Sequence, residues 1–211
     1  MHEYPSDVAF TPAVKAIQAV HGSRGAYAHM EQGMGWQTTI TPELSAFIAS
    51  LDMFYLSTAN SAGQPYIQYR GGPKGFLKVL DERTLAFADF RGNRQYISVG
   101  NLSENPKAFL FLMDYASQSR VKVWGSARVL EGDEELLAKL WDKSYHGTPE
   151  RAIVIEVAAW DANCRQHIHR RYDEADVREA TEALRSQVRT LEAEIARLTT
   201  MIRPNPRGEI G

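Results

Sequence analysis

The chain has 211 residues, of which 44% are hydrophobic and 24% charged, and a net charge of −2, a profile that suits one substantial globular domain with an appendage. So small a net charge excludes a general attraction to nucleic acid or to an anionic membrane, and any anion site must be local. The single cysteine, Cys164, excludes an internal disulfide, the N-terminal residues lack the features of a secretory signal, and the longest apolar run, 108–113, is far short of the roughly 20 residues that span a bilayer, so a cytoplasmic protein is expected.

Residues 1–40 read as an irregular arm with one short helix, opened by Thr11-Pro12 as N-cap and first-turn proline and closed at His21-Gly22. Thr41-Pro42 repeats the start signal, and Leu44, Phe47, Ile48 and Leu51 follow at helical spacing. From Met53 the pattern changes to strands, at 54–58, 66–69, 76–80 and 84–88, with Asn60-Ser61-Ala62-Gly63 and Asp81-Glu82-Arg83 as hairpin turns. A short helix is expected from Arg94 to about Leu102, stopped by Asn105-Pro106. Two long strands, 108–114 and 120–130, a helix at 133–144 with an acidic first turn, and a last strand at 151–159 complete the pattern. Strand runs joined by hairpins, without long alternating helices, argue against a doubly wound parallel sheet and for a closed or partly closed antiparallel barrel.

The remainder is a different object. Val177, Leu184, Val188, Leu191, Ile195, Leu198 and Ile202 follow a three-and-four rhythm interrupted only by Thr181, with Glu182, Arg185, Arg189, Glu192, Glu194 and Arg197 as a charged exterior. This is a coiled-coil seam, and it is expected to pack on a second copy or on its own domain. The spacing therefore divides the chain into an arm (1–40), a barrel (41–172), a heptad helix (173–203) and a tail (204–211).

Two clusters carry candidate chemistry. Arg70 enters Gly71-Gly72-Pro73, where a missing Cβ lets backbone approach a ligand. Asp89-Phe90-Arg91-Gly92-Asn93-Arg94-Gln95 offers Asn93 as an N-cap and Arg94 in a first helical turn, a pattern that suits phosphate. Strand alternation also puts Arg120, Lys122 and Trp124 on one face, two cations and an indole, with Val121 and Val123 facing the core. The competing interpretation is solvated surface cations and glycines chosen for their turns. Cys164, His167 and His169 lack a second Cys/His cluster to complete a zinc set, so no metal is expected. Acidic Asp173, Glu174 and Asp176 dilute the basic residues Arg165, Arg170 and Arg171, so no nucleic-acid partner is expected.

The run from Phe54 to Leu130, including Gly63-Gln64-Pro65-Tyr66-Ile67-Gln68-Tyr69-Arg70-Gly71-Gly72, resembles the pyridoxamine 5′-phosphate oxidase-like FMN-binding split-barrel proteins. Phe90-Arg91-Gly92-Asn93-Arg94-Gln95, Gly100-Asn101-Leu102-Ser103-Glu104-Asn105-Pro106 and Val123-Trp124-Gly125-Ser126-Ala127 match in order and spacing, over about residues 10–170. The resemblance implies a mainly β fold, a six-stranded antiparallel split barrel with short flanking helices, that dimerises with FMN at the subunit interface. It implies that Arg70 with Gly71 and Gly72 reaches the flavin or its phosphate, and that Phe87, Ala88 and Asp89 line the ring edge. Asn93, Arg94 and Gln95 would hold the phosphate, Arg120 and Lys122 would come from the facing strand beside Trp124, and Gln166 and His167 would approach the open side of the ring. The chain departs from the vitamin-forming oxidases at Gly71-Gly72-Pro73, where those enzymes continue an apolar strand with a lysine, so pyridoxamine phosphate oxidation itself is not expected.

The expected function is an FMN-dependent oxidoreductase acting on a small molecule, with NAD(P)H as a candidate donor and with no catalytic side chain identifiable. The alternative is a non-catalytic flavin store or redox sensor, or a split barrel using deazaflavin or haem, since fold does not fix function.

Overall fold

The structure, a computed structural model, describes residues 3–163 and 165–202. It divides into two compact units, Met1–Ile168 and His169–Gly211. The sequence-predicted tail at 204–211 and Cys164 lie outside the described residues.

The first unit begins with a 3-10 turn, Pro5–Val8, followed by helices α1 (Pro12–Val20), α2 (Arg24–Gln32) and α3 (Pro42–Ser50). The Thr11 and Thr41 hydroxyls accept from the backbone N–H of Val14 and Leu44, each with a proline in the first turn, so both start signals act as capping chemistry dictates. Strands β1 (Met53–Ala59), β2 (Pro65–Gly71), β3 (Lys78–Asp81) and β4 (Thr84–Phe90) come next, then α4 (Ile97–Glu104), β5 (Lys107–Asp114), β6 (Ser119–Leu130), α5 (Glu134–Leu140) and β7 (Pro149–Asn163). They form one antiparallel sheet in the order β2-β1-β5-β6-β7-β4-β3, a mainly β split barrel. There are seven strands where the resemblance implies six; β3 is a four-residue edge strand whose pairing with β4 shifts register between Val79 and Asp81.

Alternation along the strands builds the core. Phe54, Leu56, Leu85, Phe87, Leu110, Leu112, Val123, Ile153, Ile155 and Val157 turn inward and are almost wholly buried, together with Leu44 and Ile48 of α3. Phe87 meets Phe54 edge-on with ring centroids 5.2 Å apart. A smaller cluster on the other side of β4 and β7 packs Ala86, Ala88, Ala152 and Val154 against Leu140 of α5. α5 ends at Leu140, shorter than the helix expected at 133–144, although Asp133 caps it as expected of an acidic start.

The N-terminal arm is more ordered than expected, with two helices and a 3-10 turn in place of one helix. A buried polar knot holds it: Glu31 receives Ser6 Oγ at 3.0 Å and pairs with Arg24, whose Nη1 donates to Gln18 Oε1 at 2.7 Å. Gly25 and the polar composition of α2 hide this helix from periodicity, because partner side chains rather than an apolar stripe stabilise it. The arm ends by laying Trp36 flat on Trp124 of β6, with ring centroids 4.5 Å apart and an interplanar angle of 16°. Gln37 then bridges β7 at Trp160.

The second unit contains α6 (Glu174–Ile202), a 29-residue helix with no buried residue. Among the described residues no helix is long and apolar enough to cross a membrane.

One glycine is demanded by close approach. Pairing between β6 and β7 shifts register at Trp124/Gly125, and a Cβ on Gly125 would sit 2.3 Å from the Glu156 carbonyl oxygen. That neighbour is backbone and cannot rotate away. Gly125→Ala should therefore destabilise the fold by about 2 kcal/mol, as overpacking does, read as a lower urea midpoint; an unchanged midpoint would show that the bulge relaxes freely.

Candidate functional site

Strand β2 lies at one edge of the sheet, and period-two alternation puts Tyr66, Gln68 and Arg70 on the inner side, opposite Thr58, Leu56 and Phe54. On β4 the same rule turns Leu85, Phe87 and Asp89 inward. β2 and β4 are not neighbours in the sheet. Arg70 Nη1 nevertheless donates to Asp89 Oδ1 at 2.5 Å, and its guanidinium lies 5.6 Å from the centroid of the Phe87 ring. This contact ties the two strands across the split.

A second arginine shares the carboxylate. Arg151 of β7 pairs in register with Asp89, its Nε 3.7 Å from Asp89 Oδ2, and it also binds Glu150 at 2.9 Å and Glu131 at 3.0 Å. Arg91 binds the outer side of Glu150 at 2.9 Å. The Nε atoms of Arg70 and Arg151 are buried without a hydrogen-bond partner. Asp89, Glu150 and Glu131 thus balance the charge of Arg70, Arg91 and Arg151, and it is the two unpartnered Nε–H donors, not an excess of cations, that leave hydrogen-bonding capacity in this cluster.

The wall opposite is the loop Arg91–Tyr96 and the start of α4. Arg94 and Tyr96 both take left-handed backbone, with φ of 60° and 53°, a conformation uncommon for non-glycine residues and frequent at functional sites. The Tyr96 ring lies against the Arg151 guanidinium, 5.1 Å from centroid to Cζ. α4 is pinned over the barrel by Ser98 Oγ donating to Gln68 at 3.0 Å and Asn101 Nδ2 donating to Thr58 at 3.0 Å. Its N-terminus thereby faces the cleft, where backbone N–H groups and the helix dipole favour negative charge. Tyr66, Gln68, Arg70, Asp89, Asn93, Arg94, Gln95, Tyr96, Ser98 and Glu150 line the resulting cleft, which encloses about 50 Å³.

The structure thus joins two clusters that lie far apart in sequence, around Arg70 and around Asp89, Asn93, Arg94 and Gln95. Several local expectations change. The N-cap of α4 is Tyr96, not Asn93, and the helix starts at Ile97, so Arg94 precedes it; the Asn93 side chain instead accepts from Gln95 N–H at 3.2 Å as a turn within the loop. Gly72 donates its N–H to Asp52 O at 2.9 Å, and a Cβ there would strike the Phe76 ring at 2.6 Å. Gly71 likewise is crowded by Tyr69. Gly72 is thus required by internal packing, whereas the ring crowding Gly71 is the outer end of an exposed side chain that can turn aside. Phe87 is a core ring beneath Arg70, and Ala88 faces the cluster under α5.

Arg120, Lys122 and Trp124 share the outer face of β6, as alternation predicts, but they do not line the Arg70 cleft. Lys122 binds Asp161 at 3.0 Å and lies 5.3 Å from both the Trp36 and Trp124 rings. The flat ring on this face is the chain's own Trp36. Gln166 and His167 form an exposed turn, His167 with φ of 64°, held near the β5–β6 hairpin by Gln118 Nε2 donating to Ile168 O at 2.5 Å. Among the described residues no cluster of metal-ligating side chains exists. Sequence reasoning missed Arg151, Glu150, Tyr66, Gln68, Tyr96 and Ser98. For Tyr66 and Gln68 the signal was present, since they alternate with Arg70 on one strand; Arg151 stood out only as a cation opening an apolar strand.

These observations define an antiparallel split barrel with a polar cleft lined by Arg70, Arg94, Asp89 and Glu150. Residues 40–164 match the profile of the pyridoxamine 5′-phosphate oxidase family, more than half of the chain, and the chain belongs to that family, whose members typically bind FMN. No curated protein matches the chain. Solved structures with similarity include HupZ from Group A Streptococcus, 21% identical over 63% of this chain and 99% of that one, with a TM-score of 0.48. An FMN-binding protein from Syntrophomonas wolfei is 12% identical over 69% of this chain and 97% of that one, with a TM-score of 0.48. The haem storage protein HutZ from Vibrio cholerae is 14% identical over 56% of this chain and 89% of that one, with a TM-score of 0.39.

The cleft has a built-in competitor for anions. Burial pushes the Asp89 carboxyl above the usual carboxylate range, with Arg70 and then Arg151 opposing the shift. The folded state therefore holds this proton more tightly than the unfolded chain, and the stability Asp89 contributes is present at low pH and lost as pH rises through the raised value. As pH falls through that value, the carboxylate releases Arg70 and an external anion gains the guanidinium. Sulfate, which does not titrate there, should bind more tightly to the wild type on acidification, whereas Asp89→Asn should bind it with a flat pH profile. Equal slopes for the two proteins in a fluorescence titration would contradict the competition.

Proposed function

We propose that this protein is an FMN-dependent oxidoreductase acting on a small molecule, with the flavin held where two copies of the barrel meet. The observation that carries the proposal is the pair of arginines around Asp89, the half-buried Arg70 and the buried Arg151, beside the left-handed loop and the N-terminus of α4. This donor set fits a phosphate monoester. Arg70 and Arg94 neutralise its charge, Gln95 and the backbone at the start of α4 orient it, and Asp89 with Arg151 fixes where the Arg70 guanidinium points.

When bound, FMN supplies the hydride and electron transfer, and the protein supplies position and electrostatics. The cleft side chains agree with that division. Asp89 and Glu150 are both engaged by arginines, so neither is set up as an independent acid or base. A cavity of about 50 Å³ in one chain is far below the roughly 300–1,000 Å³ of pockets that enclose such ligands. A second copy supplies the missing wall in this reading, and the surface for it is at hand. The outer face of β2, β1 and β5 carries Ile67 and Tyr69, 60% and 59% exposed, beside Tyr55, Phe109 and Phe111. Arg120 and Lys122 continue this outer face on β6, and they are the cations a second copy would bring near the ring, with Gln166 and His167 on its open side. NAD(P)H is the proposed donor.

The purified protein should be yellow and release FMN on denaturation, and the reconstituted form should oxidise NADH or NADPH with a suitable acceptor. Arg70→Ala and Arg94→Ala should each weaken FMN binding at least ~10-fold, the loss expected for a charge-assisted hydrogen bond. A colourless protein that fails to bind added FMN would sink the flavin reading. Tight FMN binding without turnover across an acceptor panel would replace the enzyme by a flavin store or redox sensor.

A further inference from the structure

Helix α6 carries an apolar seam that the chain leaves uncovered. Val177, Leu184, Val188, Leu191, Ile195, Leu198 and Ile202 are 44 to 78% exposed, on a helix about 43 Å long at the usual rise. So long an apolar stripe on an otherwise polar helix is an interaction surface.

The register of the seam says what covers it. The step from Thr181 to Leu184 is three residues and the step from Leu184 to Val188 is four, and this alternation continues to Ile202. The a positions are therefore Thr181, Val188, Ile195 and Ile202, and the d positions are Val177, Leu184, Leu191 and Leu198. From Thr181 onward every a residue is β-branched, and three of the four d residues are leucine. That division is the one that parallel two-stranded coiled coils select, because the a and d knobs enter their holes at different angles. We infer that α6 pairs with α6 of a second copy as a parallel, in-register, two-stranded coiled coil.

Two features of the helix fit this partner. Thr181 is the one polar residue in the seam, and its hydroxyl donates to the Val177 carbonyl at 2.7 Å. The donor is satisfied within its own helix, so the residue can be buried with its methyl group toward the partner. The flanking charges are likewise engaged locally: Arg178 with Glu174 at 2.6 Å, Arg185 with Glu182 at 3.8 Å and Glu194 with Arg197 at 2.6 Å. In the parallel register, position g meets the following e of the partner, which sets Ala180 by Arg185, Gln187 by Glu192 and Glu194 by Thr199. No like charges face each other. A fully overlapped antiparallel pair would instead set Leu184 by Ile195 and Arg185 by Glu192.

Cysteine cross-linking of the full chain separates these arrangements, with the native cysteine removed as Cys164→Ser. In that background Leu184→Cys should form a covalent dimer on mild oxidation. It should do so at least ~10-fold more completely than Ser186→Cys on the outer face, since a disulfide needs Cβ atoms about 4 Å apart. Light scattering of the intact protein should give an even number of chains. Cross-linking only when Leu184→Cys is mixed with Ile195→Cys means an antiparallel pair and overturns the inference. Equal cross-linking at 184 and 186, no cross-linking at either, or a trimeric mass overturns it as well. Flavin content is measured on the same samples: a covalent dimer through position 184 without bound flavin sinks the FMN reading and leaves the seam standing, whereas bound flavin without that cross-link does the reverse.

Discussion

The ion pair between Arg70 and Asp89 is the constraint around which the barrel and its cleft are organised. Four strands lie between β2 and β4 in the sheet order, so no backbone ladder joins them. The side chains do, at 2.5 Å and with side-chain exposures of only 12% and 10%. Burial of a carboxylate is costly unless cations and hydrogen bonds surround it, and Arg151 from β7 supplies the second cation. The arrangement is asymmetric: among the described residues Arg70 is held by Asp89 alone, whereas Arg151 also binds Glu150 and Glu131, and each arginine retains a buried Nε without a partner. Closing the split with charge instead of backbone places the Arg70 guanidinium in the wall of the cleft. A hydrophobic closure would have been no less stable, and it would have had nothing to offer an anion.

A second constraint decides which outer surface stays open. The arm covers β6 by stacking Trp36 on Trp124 and supporting it with Phe10, whose ring centroid is 5.0 Å away. Glu31 and its partners fix the arm by a polar knot that tolerates little rearrangement, because Glu31 and Ser6 are both buried. On β2, Ile67 and Tyr69 remain exposed, beside the half-buried Tyr55, Phe109 and Phe111 of β1 and β5. The polar knot in the arm and the apolar stripe on the sheet are therefore complementary consequences of where the first forty residues lie.

Much of this was legible in the sequence because it is local. The threonine-proline starts at Thr11 and Thr41, the alternation at Phe54 and Leu56, and the heptads after Val177 each depend on residues a few positions apart, where one periodicity decides the outcome. α2 was not legible, because a glycine and a set of polar residues make sense only once Glu31 finds Ser6, Lys15 and Arg24. The cleft was half legible. Arg70 and Arg94 are conspicuous as cations beside glycines, yet the glycine at 72 proves to serve Phe76 and Asp52. Arg151 could not be assigned from spacing, since its partner Asp89 lies sixty-two residues earlier and meets it only through strand register. The left-handed turns at Arg94 and Tyr96 carry no glycine and left no signal of their own.

If the barrel and α6 both pair with a second copy, as proposed, symmetry limits how both can be satisfied. A parallel coiled coil has its two-fold axis along the supercoil, and an isologous barrel pair has a two-fold axis through its interface. If the two axes coincide, two chains close on themselves and the helix pair adds effective concentration to the barrel contact. If they do not, each chain joins one neighbour through its barrel and another through its helix, and assembly proceeds beyond a dimer.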